Sequence, residues 1–225
     1  MFLDKLCKTN PDLIQIAVHM HQQKQILPDT YVVDVDRFLE NAKAILQKAN
    51  KQNIELYYML KQIGRNPYLA KELEKIGYKG AVVVDFKEAE VMIKNHLHIA
   101  HAGHLVQIPS MMINQLVAYG CDYITVYSYE KLVEVDEAAK KIGLVQKVCI
   151  RVIGENDRIY SGQTAGFYLN QLEELVQKSK DLKYIEIAGV DNFPCFLYDE
   201  VTKEIQAQEN LHTVLKAKKI LEDLG

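Results

Sequence analysis

The chain has 225 residues, with 27 Lys and Arg against 30 Asp and Glu and a net charge of −3. Apolar residues make up 48% and charged residues 25%, the balance of an ordinary globular chain. These figures leave no electrostatic footprint for nucleic acid or an acidic membrane surface, and no apolar run reaches the ~18 residues of a spanning helix.

The N-terminus, MFLDKLCKTNPDLIQ, carries Asp4 and no long apolar stretch, so it does not read as a secretory signal. Cys7, Cys121, Cys149 and Cys195 lie far apart without a CxxC pair, which points to a reduced, cytoplasmic protein. A helix is expected over 11–25, with Leu13, Ile16, Ala17 and Met20 on one face. Tyr31–Asp36 (YVVDVD) alternates like a strand, and 37–50 follows as a helix. Residues 1–53 thus form a lead-in to a second region, 54–225.

From Ile54 the chain alternates short β-branched or aromatic runs with longer segments of helical period. The predicted strands are 54–61, 81–84, 98–102, 123–127, 146–153 and 183–190. Helices are predicted from Asn66-Pro67 to Gly77, then over 86–95, 110–119, 129–142, 170–180 and 211–224. Six βα repeats fit a doubly wound parallel sheet or most of a (β/α)₈ barrel. A doubly wound sheet calls for a Gly-rich loop after its first strand. Lys61-Gln62-Ile63-Gly64-Arg65-Asn66-Pro67 has one glycine, which favours the barrel, two units short of closure.

In such a barrel the chemistry sits at the C-terminal strand ends. That rule selects Lys61, Asp85, His101, His104, Tyr127, Arg151, Glu155, Asp191 and Asn192. Lys61 closes an apolar strand; desolvated in a barrel mouth, its amine has a lowered pKa and forms a Schiff base with a carbonyl. The residues alone favour the plainer reading, a strand-end lysine that extends to solvent. His98, His101 and His104 lack a carboxylate or cysteine at ligand spacing, so no metal site is expected. Gly154–Gly166 reads as a polar loop, either a surface connection or an anion cradle.

VDVDRFLEN (33–41), LYYMLKQIGRNP (56–67) and AVVVDFKEA (81–89) resemble the opening blocks of alanine racemase-type enzymes. KQIGRNP, HAGHLVQIP and NFPC together resemble the uncharacterised YhfX group of that superfamily. The resemblance implies an α/β TIM-type barrel of pyridoxal phosphate fold type III, with about six of eight βα units present. It implies pyridoxal 5′-phosphate held on Lys61 and an amino-acid racemase that moves the proton at Cα. Around that cofactor it places Arg65, where the family has a phosphate-touching tyrosine, together with His104. Asn192 stands where the family has a histidine packed on the pyridine ring. The last two strands, the C-terminal β domain and the second base, a tyrosine from a partner subunit, have no counterpart. The chain is therefore expected to be a truncated or domain-only form, with a small amino acid as ligand and a homodimer as its assembly. The alternatives are a non-catalytic cofactor-binding protein of the homeostasis type, another type III enzyme (aldolase, lyase or decarboxylase), or a barrel whose Lys61 takes a substrate carbonyl directly.

Overall fold

A computed structural model describes residues 2–225. Its centre is a parallel sheet of β1 (Ala81–Val83), β2 (Ile99–Ala102), β3 (Tyr123–Val126), β4 (Gln146–Ile153) and β6 (Ile185–Asp191), neighbours in that order. A short β5 (Phe167–Tyr168) extends the pairing of β4 at Val152 and Ile153. Helix α4 (Pro67–Ile76) precedes these strands, and α5 (Phe86–Lys94), α6 (Ser110–Tyr119), α7 (Tyr129–Ile142), α8 (Leu172–Ser179) and α9 (Glu209–Leu224) separate or follow them. No described helix is long and apolar enough to cross a membrane.

The two faces of the sheet differ in chemistry. Ile124, Val126, Val148, Ile150 and Val152 are fully buried and belong to the same core as Leu73 of α4, Leu116 of α6, and Leu132 and Val135 of α7. Removing each such side chain from water contributes about 1.5–3 kcal/mol, so this layer carries the fold. Successive strand residues point to opposite faces, and register partners in parallel strands share one. The other face therefore carries His101 beside Tyr123, Thr125 beside Cys149, and Arg151 beside Asp191. A polar stripe runs along the inside of the sheet.

Several predicted elements differ from those observed. The strand at 31–36 is absent: Asp34 instead accepts a hydrogen bond from Arg37 N at 3.0 Å and caps α3 (Val35–Asn50). Ala42 and Leu46, one turn apart, are buried, and that helical period outweighs the short alternation before it. The 54–61 strand is reduced to an extended edge with a single bridge, Tyr58 to Ala81, and Lys61 already belongs to a 3-10 turn, Lys61–Ile63. The 11–25 helix ends at Gln22, preceded by an unpredicted α1 (Phe2–Thr9). The 170–180 helix begins as a 3-10 turn, Leu169–Gln171. An antiparallel hairpin, β7 (Phe196–Tyr198) with β8 (Ile205–Ala207), was not predicted because neither strand has a buried face to impose a period of two.

Among the described residues β6 pairs only with β4, so the sheet does not close. Beside that edge, Ile187, Val190 and Leu221 line a groove of about 370 Å³. Unpaired apolar edges recruit further strands. The 225-residue chain is therefore expected to gain weight-average mass with concentration in sedimentation, and Ala188→Lys on β6 to shift it toward the monomer. A monomer at every concentration would show that the edge is inert.

Candidate functional site

The sequence around Lys61 builds a rigid rim. Lys79 N donates to Leu56 O, Tyr58 N to Gly80 O and Val82 N to Tyr58 O, at 2.7–3.0 Å, which fixes the extended edge against β1. The 3-10 turn follows, closed by Ile63 N and Arg65 N on Leu60 O. Gly64 (φ 71°) and Arg65 (φ 57°) are both left-handed, which swings the chain into α4. Asn66 then caps α4 by accepting from Tyr68 N at 2.9 Å, with Pro67 at the first position. Lys61 is exposed, and among the described residues its amine has no hydrogen-bond or ionic partner. Its amine is thus accessible rather than desolvated, unlike the expectation for a strand-end lysine inside a mouth.

Arg65 is engaged. Its Nη2 lies 3.4 Å from Asp85 Oδ2 and its Nε 3.5 Å from Glu88 Oε1. Glu88, only 2% exposed, also accepts from Val84 N at 2.6 Å, and Asp85 caps α5 through Glu88 N. These two carboxylates tie the rim to the next βα unit through this guanidinium.

A buried polar cluster occupies the inner stripe at the strand ends. His104, in the loop after β2, meets both carboxylate oxygens of Asp191 through Nδ1, at 3.1 and 3.0 Å. Thr125 Oγ1 donates to Asp191 Oδ2 at 3.3 Å and lies 2.5 Å from His101 Nε2. The His101 and His104 rings are 5.8 Å apart, and Phe193 stands edge-on to His104 at 5.9 Å. Burial pushes the Asp191 carboxyl up, but the His104 hydrogen bond and the nearby His104, His101 and Arg151 outweigh it, holding it below the usual carboxylate range. Burial, followed by the adjoining His104, holds His101 below the usual imidazole range despite Asp191.

Arg151 is the anomaly of this cluster. It is 1% exposed, its Nη2 donates to Phe193 O at 3.4 Å, and its Nε and Nη1 have no partner. The nearby Asp191 offsets part of its charge, but two buried donors without an acceptor are costly. The thiols offer no competing chemistry, because burial pushes Cys121 and Cys149 up to about 12. Tyr127 is turned away, donating to Gly103 O at 2.9 Å.

Asn192, one residue beyond Asp191, projects toward the helix layer. Its Nδ2 donates to Asp157 Oδ2 at 2.6 Å, and its Oδ1 accepts from Asn210 of α9 at 3.1 Å. Asp157 also accepts from Gly154 N and Thr213 Oγ1. A Cβ at residue 154 would stand 2.4 Å from that threonine oxygen, so only glycine fits. The Gly154–Gly166 loop is therefore pinned to α9 at its start. Strand-end position in the sequence selected His101, His104, Arg151 and Asp191; Thr125, mid-strand, carried no such signal.

Comparison with known families and structures sets this geometry in context. The family model for alanine racemase, N-terminal domain, matches residues 33–225. The chain belongs to that family. It is 44% identical over 225 residues to the uncharacterized protein YhfX of Escherichia coli (strain K12), covering 100% of this chain and 58% of YhfX. Its fold is similar to diaminopimelate decarboxylase from Helicobacter pylori complexed with L-lysine (TM-score 0.62, 18% identity, 76% of this chain and 45% of that one). It is also similar to alanine racemase of Clostridium difficile 630 (TM-score 0.57, 22% identity, 85% and 47%) and D-threonine aldolase from Filomicrobium marinum (TM-score 0.57, 16% identity, 73% and 43%). These likenesses show the fold, the TIM-type α/β barrel of fold type III, here open. The chain spans 58% of its curated relative and less than half of each of these three structures.

Two outcomes follow from the site's electrostatics. Arg65→Ala strands Glu88 beside α5 and should cost about 1–3 kcal/mol in denaturant unfolding, with Glu88→Gln in the same chain restoring part of it. His101 resists protonation in the fold, so the unfolded chain takes up that proton first. Stability should fall as pH drops below about 6.5, and His101→Gln should flatten that fall in thermal melts.

Proposed function

We propose that this chain is the cofactor-binding part of a pyridoxal 5′-phosphate-dependent enzyme that acts on an amino acid, with a racemase as the leading reaction. The observations that support this reading are the accessible Lys61 on the rim and, on β4, a buried Arg151 with two nitrogens that lack an acceptor. When bound, pyridoxal phosphate supplies an aldehyde that condenses with an amine, releasing water, and a ring that accepts electrons from a Cα bond. The donor set fits it. Lys61 Nζ is the attachment point, and Arg151 Nε and Nη1 receive an anionic oxygen of cofactor or substrate. The His104 imidazole lines the same mouth, between Asp191 and Phe193. Arg65 and Asn192 serve as positioning residues: the first holds the rim that carries Lys61, the second ties the end of β6 to α9.

The names of the similar structures support an amino-acid ligand: one is an alanine racemase, one a decarboxylase complexed with L-lysine, one a D-threonine aldolase. Four unpaired cysteines suit a cytoplasmic setting, and the open β6 edge suits a homodimer.

The test is covalent trapping. The chain is incubated with pyridoxal phosphate, reduced with borohydride, digested and weighed by mass spectrometry. The label should fall on the peptide containing Lys61 and vanish in Lys61→Ala; labelling spread evenly over surface lysines would overturn the assignment. Arg151→Met should weaken cofactor binding or the uptake of an amino acid by about 10- to 100-fold, the worth of a charge-assisted hydrogen bond. Product analysis then separates the reactions: inversion at Cα marks a racemase, carbon dioxide a decarboxylase, and a released aldehyde an aldolase.

A further inference from the structure

Moving a proton at Cα requires a group that accepts it and one that returns it, and Lys61 can be only one of them. The inner stripe holds a second group already oriented for that work. His104 Nδ1 is bound by both oxygens of Asp191, at 3.0 and 3.1 Å. The carboxylate can only accept there, so Nδ1 carries a proton and Nε2 is the ring nitrogen left to exchange one. Asp191 is itself fixed from three sides: by its β6 backbone in register with Arg151, by Thr125 Oγ1 and by His104. The His104 side chain is 17% exposed, whereas Asp191 is 9% exposed. The imidazole is thus the open end of the pair and the carboxylate its closed end.

We propose that His104 is the second proton-transferring residue of this site, and that Asp191 is the residue that positions it. This rests on the reading of Lys61 as the cofactor attachment point. Lys61 and His104 stand on the same rim, after the edge segment 54–60 and after β2, with β1 between them. In the forward step the Cα–H electron pair stays with the carbon and the proton passes to the base on one side. His104 Nε2 accepts or returns a proton on the other, ending as imidazolium or neutral imidazole accordingly. The groups facing His104 are suited to that exchange. Asp191 on β6 stabilises the imidazolium. Burial shifts His101 on β2 toward its neutral form, Thr125 on β3 bridges His101 to Asp191, and the Phe193 ring stands perpendicular to the His104 ring. Arg151 on β4, with two unpaired nitrogens, offsets the carboxylate charge and attracts an anionic ligand to the same place.

The test joins a measurement on the cofactor-free chain to one on the loaded chain. Nitrogen-15 NMR of the histidine rings in the cofactor-free chain should show His104 protonated at Nδ1. Asp191→Asn, which can donate, should flip it to the Nε2–H tautomer while leaving the exposed His212 unchanged. The loaded chain is then given the twenty common L-amino acids in deuterium oxide, and loss of the Cα–H signal is followed by proton NMR. His104→Gln and Asp191→Asn should both still trap cofactor on Lys61 yet lose about 10²- to 10⁴-fold in the exchange rate of whichever amino acid the parent exchanges fastest. Added imidazole should restore part of the exchange in His104→Ala and none in Lys61→Ala. An Nε2–H tautomer in the parent, or parental exchange in His104→Gln, overturns the proposal while cofactor trapping stands. A parent that traps cofactor but exchanges no amino acid overturns it too. Failure to trap cofactor at Lys61 overturns instead the reading on which it rests.

Discussion

The arrangement of the mouth depends on one buried carboxylate. Asp191 ends β6 at the point where the strand leaves the core, 9% exposed, and takes hydrogen bonds from an imidazole in the loop after β2 and a hydroxyl on β3. A charge in that position is tolerated only because it is paired and hydrogen-bonded. Its partners are ordered in return. His104 lies in a loop, where the carboxylate holds its ring, and His101 is linked to it through Thr125. Without Asp191 three strand ends would lie side by side with no common geometry.

The same residue marks a division of labour along β6. Asp191 faces the inner stripe, and Asn192 faces the helices, because a strand alternates its side chains. The inner side gathers groups that titrate or carry charge. The outer side gathers amides, a hydroxyl and Asp157, all mutually satisfied, and these lock α9 across the ends of β4 and β6. Chemistry and anchoring thus lie back to back on one strand, which lets the last helix brace the mouth without entering it.

The rim around Lys61 is stiffened by a different device. Arg65 is held in a left-handed backbone conformation that a long side chain rarely adopts, and its guanidinium is tied to two carboxylates of the following βα unit. Such a turn persists when its surroundings over-determine it, and here the cap at Asn66, the glycine at 64 and the Glu88 contact all act on it. The lysine beside it is left with no partner.

By itself the sequence determined the alternation of apolar strands and amphipathic helices from Ala81 to Gln146 nearly residue for residue, since burial on one face imposes a period that composition records. It also determined the rank of candidates: a polar residue at the end of a buried strand, such as Arg151 or Asp191, has few reasons to be there. The resemblance carried by KQIGRNP and HAGHLVQIP pointed to the family that the comparison then established. Only the tertiary structure decided who pairs with whom. Residue 104 meets residue 191 across 87 positions, Arg65 meets carboxylates 20 and 23 residues away, and Asn192 turns to α9 while its neighbour turns inward. Periodicity reports which face of an element is buried, because that depends on solvent. It carries no information about which polar group across the sheet will satisfy a buried charge, because that depends on register and on loops whose path is set by contacts distant in the chain.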